Sequence, residues 1–471
     1  MSKEIRADYD SQYLLPPSVE DWVGKDHPAR FIREFVEMLD LAGLGFRLPG
    51  GEIGRPHYSA DLLLKIWLYG YLEGIRSSRR LEKGCLENMS LIWLTGNNAP
   101  DHNTIWRFFN ANHKPLRRVF RQSVKVAMRV GLLGLALHAV DGTTIKAKGS
   151  RRSVLSRKRV ESLLKDLDKS VDGMMDEVAR NEELEESGCR IPEELADRDA
   201  LRSRLQDALE RMDEIDRNYF HPVEPDVRMM KNGVAVEPSY NGQVVVDEDS
   251  GMIVAEDIVN EENDKKQLVP MVEKVEENVG RAADETLADG GYCSIQALSE
   301  AEERGYGVVV NVERKSADGG QGEFHRSKFT YLESEDCVMC PLGKRLEYYY
   351  TDNSKKPRQR RYRCRDFRDC PRRWECSRSK KGRVIRVSQD HPVVKRQKEK
   401  QLDDTMRALL IKRKAIVEKT FGSIKEGMQF RRLTVAGLEK VKAQWSIVCT
   451  AFNLKKLYKQ WLLGTVLFKP T

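Results

Sequence analysis

The chain has 471 residues, of which 40% are hydrophobic and 33% are charged, and its mean hydropathy is -0.58. This length predicts two to four domains with sizeable hydrophobic cores, and the composition excludes disorder throughout. No stretch reaches the roughly 18 consecutive apolar residues of a membrane span, and the first residues lack the apolar core of a signal peptide. We therefore expect a cytoplasmic protein without a membrane partner.

The formal charge of +8 is unevenly distributed. Residues 355–383 contain 14 Lys and Arg against 3 Asp and Glu, so this stretch carries +11 and the rest of the chain is slightly acidic. A concentrated basic patch is typical of a protein that binds nucleic acid. A solvated basic loop is the alternative, and charge alone does not decide between the two.

Residues 1–131 are predicted to be helical, because apolar residues recur at intervals of three and four. One helix is expected to begin after Ser59 and another after Asp101, both residue types that cap helix N-termini. Arg107 and neighbouring basic residues offer phosphate contacts, so a DNA-binding helix-turn-helix is one interpretation. An ordinary helical bundle with surface arginines is the other.

Strands and helices alternate in the predicted elements that follow Leu132. In chain order these are a strand that ends at Asp141, a helical hairpin over 151–217 with a break at Gly188 to Pro192, a β-hairpin over 240–260, a helix over 265–279, a strand that ends at Asp289, a helix over 295–304, a strand over 306–313, and helices over 403–428 and 438–463. This order predicts an α/β core that carries two insertions.

Five of the nine cysteines lie within residues 337–376. An odd number of cysteines without a signal peptide argues against a disulfide framework. The crowded group begins with a CxxC pair, and any four of its members would supply a tetrahedral zinc site, with free thiols as the alternative. Trp374 is expected in the core of this small module, with stacking on a splayed DNA base as the alternative. The five cysteines are Cys337, Cys340, Cys364, Cys370 and Cys376.

Three carboxylates stand out by their positions. Asp141 and Asp289 each close an apolar, strand-like run, and Glu418 lies at the edge of the apolar face of a late helix. Carboxylates that converge from two strands and a helix can hold two hard cations and promote phosphoryl transfer, with Mg²⁺ (or Mn²⁺) as the natural ion. Taken singly, each has a simpler explanation, because Asp-Gly is a common turn dipeptide and Glu418 suits a solvated helix face.

Around these residues the sequence resembles the DDE transposases of bacterial insertion sequences. The similar segments are 58–65, 100–105, 140–145, 240–243, 263–270, 288–292, 417–425, 430–432 and 451–454. The resemblance covers most of the chain. It implies an α/β fold with a ribonuclease-H-like mixed sheet core, and it implies that Asp141, Asp289 and Glu418 form one metal-binding catalytic triad.

The resemblance also implies a domain organisation. A helical N-terminal DNA-binding domain spans 1–131, and the first part of the catalytic core spans 132–324 and contains the helical insert 151–217. A cysteine- and arginine-rich insertion follows over 325–390 and is a zinc module if metal binds. The C-terminal helical part of the core spans 391–471 and carries Glu418. Both insertions lengthen the intervals between the triad residues.

The implied activity is Mg²⁺-dependent hydrolysis at the ends of a mobile element, followed by attack of the freed 3'-hydroxyl on target DNA. The implied partners are terminal inverted repeats and target DNA, bound by a nucleoid-associated homodimer. Gly-rich phosphate loops are absent from the sequence, so no ATP requirement is expected. Expected contacts to the DNA backbone are Arg107, Arg372, Arg373, Lys414 and Lys425.

The helical signature that surrounds the glutamate in many relatives is only partly present. Ile411 occupies its tyrosine position, which puts a hairpin-forming cleavage route in doubt. Lys414 occupies its arginine position, and because lysine is not a bidentate substitute for arginine, strand positioning near the scissile phosphate is expected to differ. Two other functions stay open. One is a catalytically inactive, transposase-derived DNA-binding protein, and the other is a structural zinc protein in which the carboxylates are incidental.

Overall fold

The computed structural model describes residues 18–47, 57–182, 193–233, 235–312, 322–332, 334–354, 359–388, 392–466 and 468. Some predicted features lie wholly or partly outside these residues, among them the break at Gly188 to Pro192, parts of the helical region 1–131, the end of the strand over 306–313 and the first part of the basic stretch, 355–358.

Helices dominate both ends of the described chain and strands its middle. The α-helices are α1 (Pro28–Glu37), α2 (Ala60–Leu72), α3 (Ser78–Glu87), α4 (Met89–Leu94), α5 (His102–Ala111), α6 (His113–Arg129), α7 (Arg157–Glu182), α8 (Glu193–Glu214), α9 (Leu268–Val279), α10 (Ile295–Glu303), α11 (Arg373–Cys376), α12 (Pro392–Lys400), α13 (Asp404–Gly422) and α14 (Leu438–Leu462). The strands are β1 (Leu137–Lys146), β2 (Leu155–Ser156), β3 (Tyr219–Phe220), β4 (Arg228–Asn232), β5 (Ala235–Asp247), β6 (Ile253–Val259), β7 (Glu285–Ala288), β8 (Val308–Val310), β9 (Thr330–Leu332), β10 (Cys337–Met339), β11 (Arg345–Asp352), β12 (Gln359–Cys364) and β13 (Val384–Ser388).

The central sheet is mixed. Its strand order is β6-β5-β1-β7-β8. β4 and β6 both pair with the edge of β5 that faces away from β1. β1 is antiparallel to β5 but parallel to β7, and β7 is parallel to β8. Three antiparallel strands followed by two parallel ones form the core expected of a ribonuclease-H-like protein, so the predicted fold class is confirmed.

The middle of the sheet is covered on both faces. β5 is buried at successive positions such as Val244, Val245 and Val246, the pattern of a strand with helices on either side. α9 packs against β5 and β6, α14 packs against β6, and α13 crosses β1, β5, β7 and β8. Asp141, in the middle of β1, and Asp289, just after β7, are both half-buried.

The N-terminal helices and the sheet share one hydrophobic core. α14 contacts α1, α2 and α6 as well as β6. Within this core the buried Asn453 of α14 accepts a hydrogen bond from the backbone of Ile253 at 3.0 Å, donates to the carbonyl of Ile253 at 2.8 Å and donates to Ser123 of α6 at 3.2 Å. A buried amide without partners would cost about 1–3 kcal/mol, so these bonds fix the position of α14 between the two layers.

The predicted helical hairpin is present as α7 and α8. Its small separate core contains Val160, Leu205 and Met212, while Leu163 and Leu201 of the same leucine pattern are exposed.

The cysteine- and arginine-rich insertion contains an antiparallel sheet in the order β13-β12-β11-β10-β9, which the sequence pattern did not predict. The alternation of apolar and polar residues that usually marks a strand is hidden in this sheet, because arginine side chains pack over tyrosine rings. Arg360 lies 4.7 Å from the ring centre of Tyr348, and Arg363 lies 3.9 Å from that of Tyr349. The expectation that Trp374 is a core residue was wrong, since it is 68% exposed on the short helix α11.

Candidate active site

The two aspartates are brought together by the parallel pairing of β1 with β7. Leu137, His138 and Ala139 lie opposite Glu285, Thr286 and Leu287 in register. The same register continued by two residues sets Asp141 beside Asp289. Asp289 thus directly follows β7, at the kind of strand end where open α/β sheets form ligand-binding crevices. The expectation that the first strand ends at Asp141 was wrong, because β1 continues to Lys146 in its pairing with β5 and Asp141 lies in its middle.

Asp141 is held by two groups on opposite sides of its carboxylate. Oδ1 accepts a hydrogen bond from the Gly142 N–H at 2.9 Å, and Oδ2 lies 3.1 Å from Nη1 of Arg413. Burial raises the pKa of Asp141 to about 6; the charge of Arg413 lowers it and the charge of Asp289 raises it. That mutual effect reflects the closeness of the two aspartates.

Asp289 is half-buried, and its Oδ1 accepts the N–H of Gly291 at 2.7 Å. This bond orients the carboxylate at the start of the loop after β7. A side chain at Gly291 would place its Cβ 2.8 Å from the same oxygen and 3.3 Å from Oδ2 of Asp264. A third carboxylate, that of Asp264, therefore lies close to the loop that carries Asp289.

Asp264 lies in a buried network that sequence reasoning missed. Its Oδ1 accepts hydrogen bonds from Asn241 Nδ2 at 2.7 Å and from Gln243 Nε2 at 2.6 Å. The hydroxyl of the buried Tyr292 donates to the other end of the Gln243 amide. The sequence signal was present, because these residues lie in three of the segments that resemble transposases, but nothing in their spacing shows that they meet.

Arg413 was also missed, although it precedes Lys414 by one residue. On α13, Arg413, Val417 and Thr420 recur at intervals of four and three, the spacing of one helix face. Val417 and Thr420 are buried, and the Arg413 side chain is only 12% exposed. This face packs on the sheet, and Arg413 reaches Asp141 from it.

Glu418 lies on the neighbouring, outward side of the same helix. Its side chain is 64% exposed, and it pairs with Lys414, whose Nζ is 3.5 Å away. It follows Val417 by one residue, which is about 100° around the helix axis. Within the described ranges, no three His, Cys, Asp or Glu side chains are close enough to hold a metal ion as they stand. The membership of Glu418 in the triad stays a prediction.

The predicted DNA contacts lie in different surroundings. Lys425 donates from Nζ to the carbonyl of Thr144 at 3.3 Å, and burial lowers its pKa. Arg107 is exposed on α5. Arg372 pairs with Glu375 at 2.5 Å and with Glu323 at 2.8 Å, and Arg373 lies over the ring of Phe367 at 4.9 Å. Of these residues, Lys425 is the one beside the strand that carries Asp141.

A basic groove lies between the N-terminal helices and the sheet. It consists of two cavities of about 560 and 450 Å³ that share Arg432 as a lining residue. The cations that line this groove are Arg76, Arg80, Lys146, Lys148, Arg151, Arg152, Arg431 and Arg432. Arg432 is anchored by bonds from its guanidinium to the carbonyls of Ala147 and Lys148, just beyond β1. A cationic groove of this kind suits a polyanionic backbone.

The aspartate pair has the chemistry of a hard-cation site. Carboxylate oxygens are ligands of Mg²⁺, and a divalent charge would favour the ionised form of Asp141 against burial and the charge of Asp289, which both raise its pKa. Oδ2 of Asp141 must then be shared with, or released by, Arg413. The donors from Asp141 and Asp289 fit such an ion, with Asp264 and Glu418 as candidates for a third ligand.

In the described residues, no helix is long and apolar enough to cross a membrane.

Two family models match the chain. Residues 17–111 match the transposase domain DUF772, and residues 339–458 match a transposase DDE domain, a range that includes Glu418 but neither aspartate.

No curated protein matches the chain. Among solved structures it is similar to the piggyBac transposase in a cryo-EM structure of a synaptic complex with hairpin DNA. The identity is 8%, the match covers 93% of this chain and 76% of that one, and the TM-score is 0.35. DDE domains define a family of phosphoryl-transfer enzymes that use divalent metal ions. The chain therefore carries both a transposase N-terminal domain and a transposase DDE domain.

Proposed function

We propose that this chain is the transposase of an insertion sequence and that it cleaves DNA at the ends of the element and joins those ends to target DNA. The observation that carries the proposal is the pair formed by Asp141 on β1 and Asp289 just after the parallel strand β7, with Arg413 against Asp141. Burial raises the pKa of Asp141 to about 6 and the charge of the neighbouring Asp289 adds to this rise, so the pair suits a divalent cation better than a stabilising role.

The residues around Asp141 and Asp289 would have different roles at the scissile phosphate. Asp141 and Asp289 would hold Mg²⁺, which supplies charge stabilisation to the pentavalent phosphorus and activates the attacking hydroxyl. Arg413 holds Asp141 in place and carries positive charge toward the phosphate. The amides of Asn241 and Gln243 fix Asp264, which limits movement of the loops beside both aspartates.

Glu418 is proposed as the third carboxylate. The ion pair that holds it outward is exposed and of the i,i+4 kind, which contributes only a few tenths of a kcal/mol. DNA phosphates would compete for Lys414 and release Glu418. Because α13 crosses both β1 and β7, a change of side-chain direction on this helix brings the carboxylate toward the aspartates.

DNA is proposed to run along the basic groove toward Asp141, held mainly by phosphate contacts. Lys425 and Arg107 extend this surface, and Arg372 and Arg373 of the insertion offer a second one. Two copies of the chain would be needed to bring two ends together, so we propose that a homodimer acts on DNA.

The test is nicking of a labelled duplex that carries the end of the element, with Mg²⁺ or Mn²⁺. We expect Asp141→Asn, Asp289→Asn and Glu418→Gln each to lower the cleavage rate by at least about 10³-fold while DNA binding survives. Asp284→Asn, an exposed aspartate just before β7, is the matched control. Asp264→Asn separates the candidates for the third ligand: loss of cleavage there with full activity in Glu418→Gln would remove Glu418 from the triad.

A catalytically inactive DNA-binding protein is the second candidate, and one observation favours it. Arg413 already neutralises Asp141, while Glu418 points outward. On this alternative, the wild-type chain binds the end of the element but never cuts it with either ion.

A further inference from the structure

Four of the five clustered cysteines surround one small cavity in the insertion. Its volume is about 30 Å³, enough for a single ion or water but not for an organic ligand. The sulfur residues in its wall are Cys340, Cys364, Cys370 and Cys376. Cys337 is not in the wall, although it belongs to the CxxC pair that begins the motif.

Strand register explains why Cys337 is left out. Val338 lies opposite Leu346, and Leu346 lies opposite Cys364, so these three side chains share one face of the sheet. Leu346 and Cys364 both line the cavity. Cys337 is one residue before Val338, and because strand side chains alternate it points to the opposite face. Its Sγ lies there at 3.9 Å from Glu335.

The turn after β10 prepares Cys340 as a metal ligand. Gly343 has φ +76, a conformation that favours glycine, and its N–H bonds the carbonyl of Cys340 at 2.9 Å. The next N–H, that of Lys344, donates to Cys340 Sγ at 3.2 Å. Such a bond stabilises a thiolate and orients it, as do the outer-shell donors of metal sites.

The remaining sulfurs are close enough to influence one another. Burial raises the pKa of Cys364 and of Cys376, and the thiols of Cys340 and Cys370 add to both effects. Lys344 and Arg383 act in the opposite direction. These cations beside the cavity would offset the net negative charge of four thiolates around a divalent ion.

We propose that Cys340, Cys364, Cys370 and Cys376 bind one structural zinc ion and that Cys337 takes no part. The sulfurs do not yet meet at one point, so binding would draw the loop with Cys370 and the end of α11 with Cys376 toward the sheet. The insertion consists of short strands around a small apolar core, so four Zn–S bonds of about 2.3 Å would add to its folding free energy. The assignment does not depend on the catalytic proposal.

The test uses the full-length chain, purified with zinc and then reconstituted with Co²⁺. We expect one zinc ion per chain and the visible absorption of Co²⁺ in a tetrahedral site of four thiolates. Serine at any of the four positions should weaken binding by at least about tenfold. Cys337→Ala, the matched control from the same motif, should keep the stoichiometry and spectrum of the wild type.

A second variant covers the case in which a serine variant fails to fold. Cys370→His keeps a ligand at the exposed side of the cavity and should retain one Co²⁺ with weaker sulfur-to-metal absorption. The assignment is overturned if Cys337→Ala loses the metal, if any of the four serine variants binds as tightly as the wild type, or if the folded wild type binds neither ion.

Discussion

Nη1 of Arg413 lies 3.1 Å from Oδ2 of Asp141, which joins the late helix α13 to the first strand of the sheet. The Arg413 side chain is 12% exposed, so solvent screens this pair less than it screens the surface pairs elsewhere on α13. The arginine therefore contacts the carboxylate and lowers its pKa, against the larger, raising effect of burial.

Replacement of Arg413 by glutamine should shift the pH dependence of metal binding. The pKa of Asp141 is about 6 with the arginine present, so affinity for Mn²⁺ should fall as the pH falls through this value. Without the arginine the pKa rises further, and the midpoint should move to higher pH. Titration of Mn²⁺ binding from pH 5 to 8 measures this, with Arg407→Gln, an exposed position on α13, as control. An unchanged midpoint would contradict the role given to Arg413.

Gly142→Ala should destabilise the site from within. A Cβ there would lie 2.4 Å from Gln243 Nε2 and 2.6 Å from Asp264 Oδ1, so the buried network would have to move. We expect the free energy of unfolding to fall by about 1–3 kcal/mol in urea denaturation. Gly422→Ala is the control, because its Cβ meets nothing within 4 Å at the end of α13 and should be neutral or slightly stabilising. Equal effects of the two variants would argue against the network.

Asp264 should tolerate asparagine better than alanine. Asparagine can still accept the bonds from Asn241 and Gln243, whereas alanine removes the acceptor of Asn241 Nδ2 and one of the two acceptors of Gln243 Nε2. Thermal unfolding should show a loss of about 1–3 kcal/mol for Asp264→Ala and a clearly smaller one for Asp264→Asn. If both variants lose the same free energy of unfolding, the charge of Asp264 contributes more to stability than its hydrogen bonds.

Glu256→Gln should stabilise the protein at neutral and higher pH. Burial raises the pKa of Glu256 to about 7, and its Oε1 accepts a bond from Ser446 at 2.6 Å that glutamine can keep. A raised folded-state pKa means that the stability contributed by protonated Glu256 is complete below about pH 4.5 and is lost as the pH rises through 7. The variant should thus gain about 1–3 kcal/mol at pH 8 and nothing at pH 4.5. Melting curves at both pH values, with the exposed Glu303→Gln as control, test this sign.

Removal of cations from the basic groove should weaken DNA binding mainly through salt dependence. Arg80→Ala and the double variant Arg151→Ala/Arg152→Ala each delete exposed cations of the groove. Each DNA phosphate that is no longer neutralised should make the plot of log affinity against log salt less steep by about 1, whatever the DNA sequence. Lys83→Ala, which removes a cation paired with Glu87 on α3, should leave the slope unchanged.

The sequence by itself predicted most of the regular elements. Asp101 caps α5 by accepting the N–H groups of Asn103 and Thr104, as its residue type indicated. The helical hairpin, the β-hairpin and the two C-terminal helices likewise follow from local periodicity, which a short window contains in full. The predicted helix over 403–428 ends earlier, at Gly422, and continues as a π-helical turn over Ser423–Gly427. The sheet of the insertion was not predicted, because alternating arginines and tyrosines hide which side of each strand is apolar.

The candidate site depends on information that no local window holds. Asp141 and Asp289 were found because each follows an apolar run, a local signal strengthened by the family resemblance. Their neighbours Arg413 and Asp264 come from distant segments, and only the packing of α13 and the pairing of β1 with β5 bring them close. The choice of four cysteines among five is of the same kind, since strand alternation in the folded insertion, and not the spacing of the thiols, turns Cys337 away. Sequence determines which residues can take part, and tertiary structure decides which of them meet, because side-chain direction follows from strand register and helix packing.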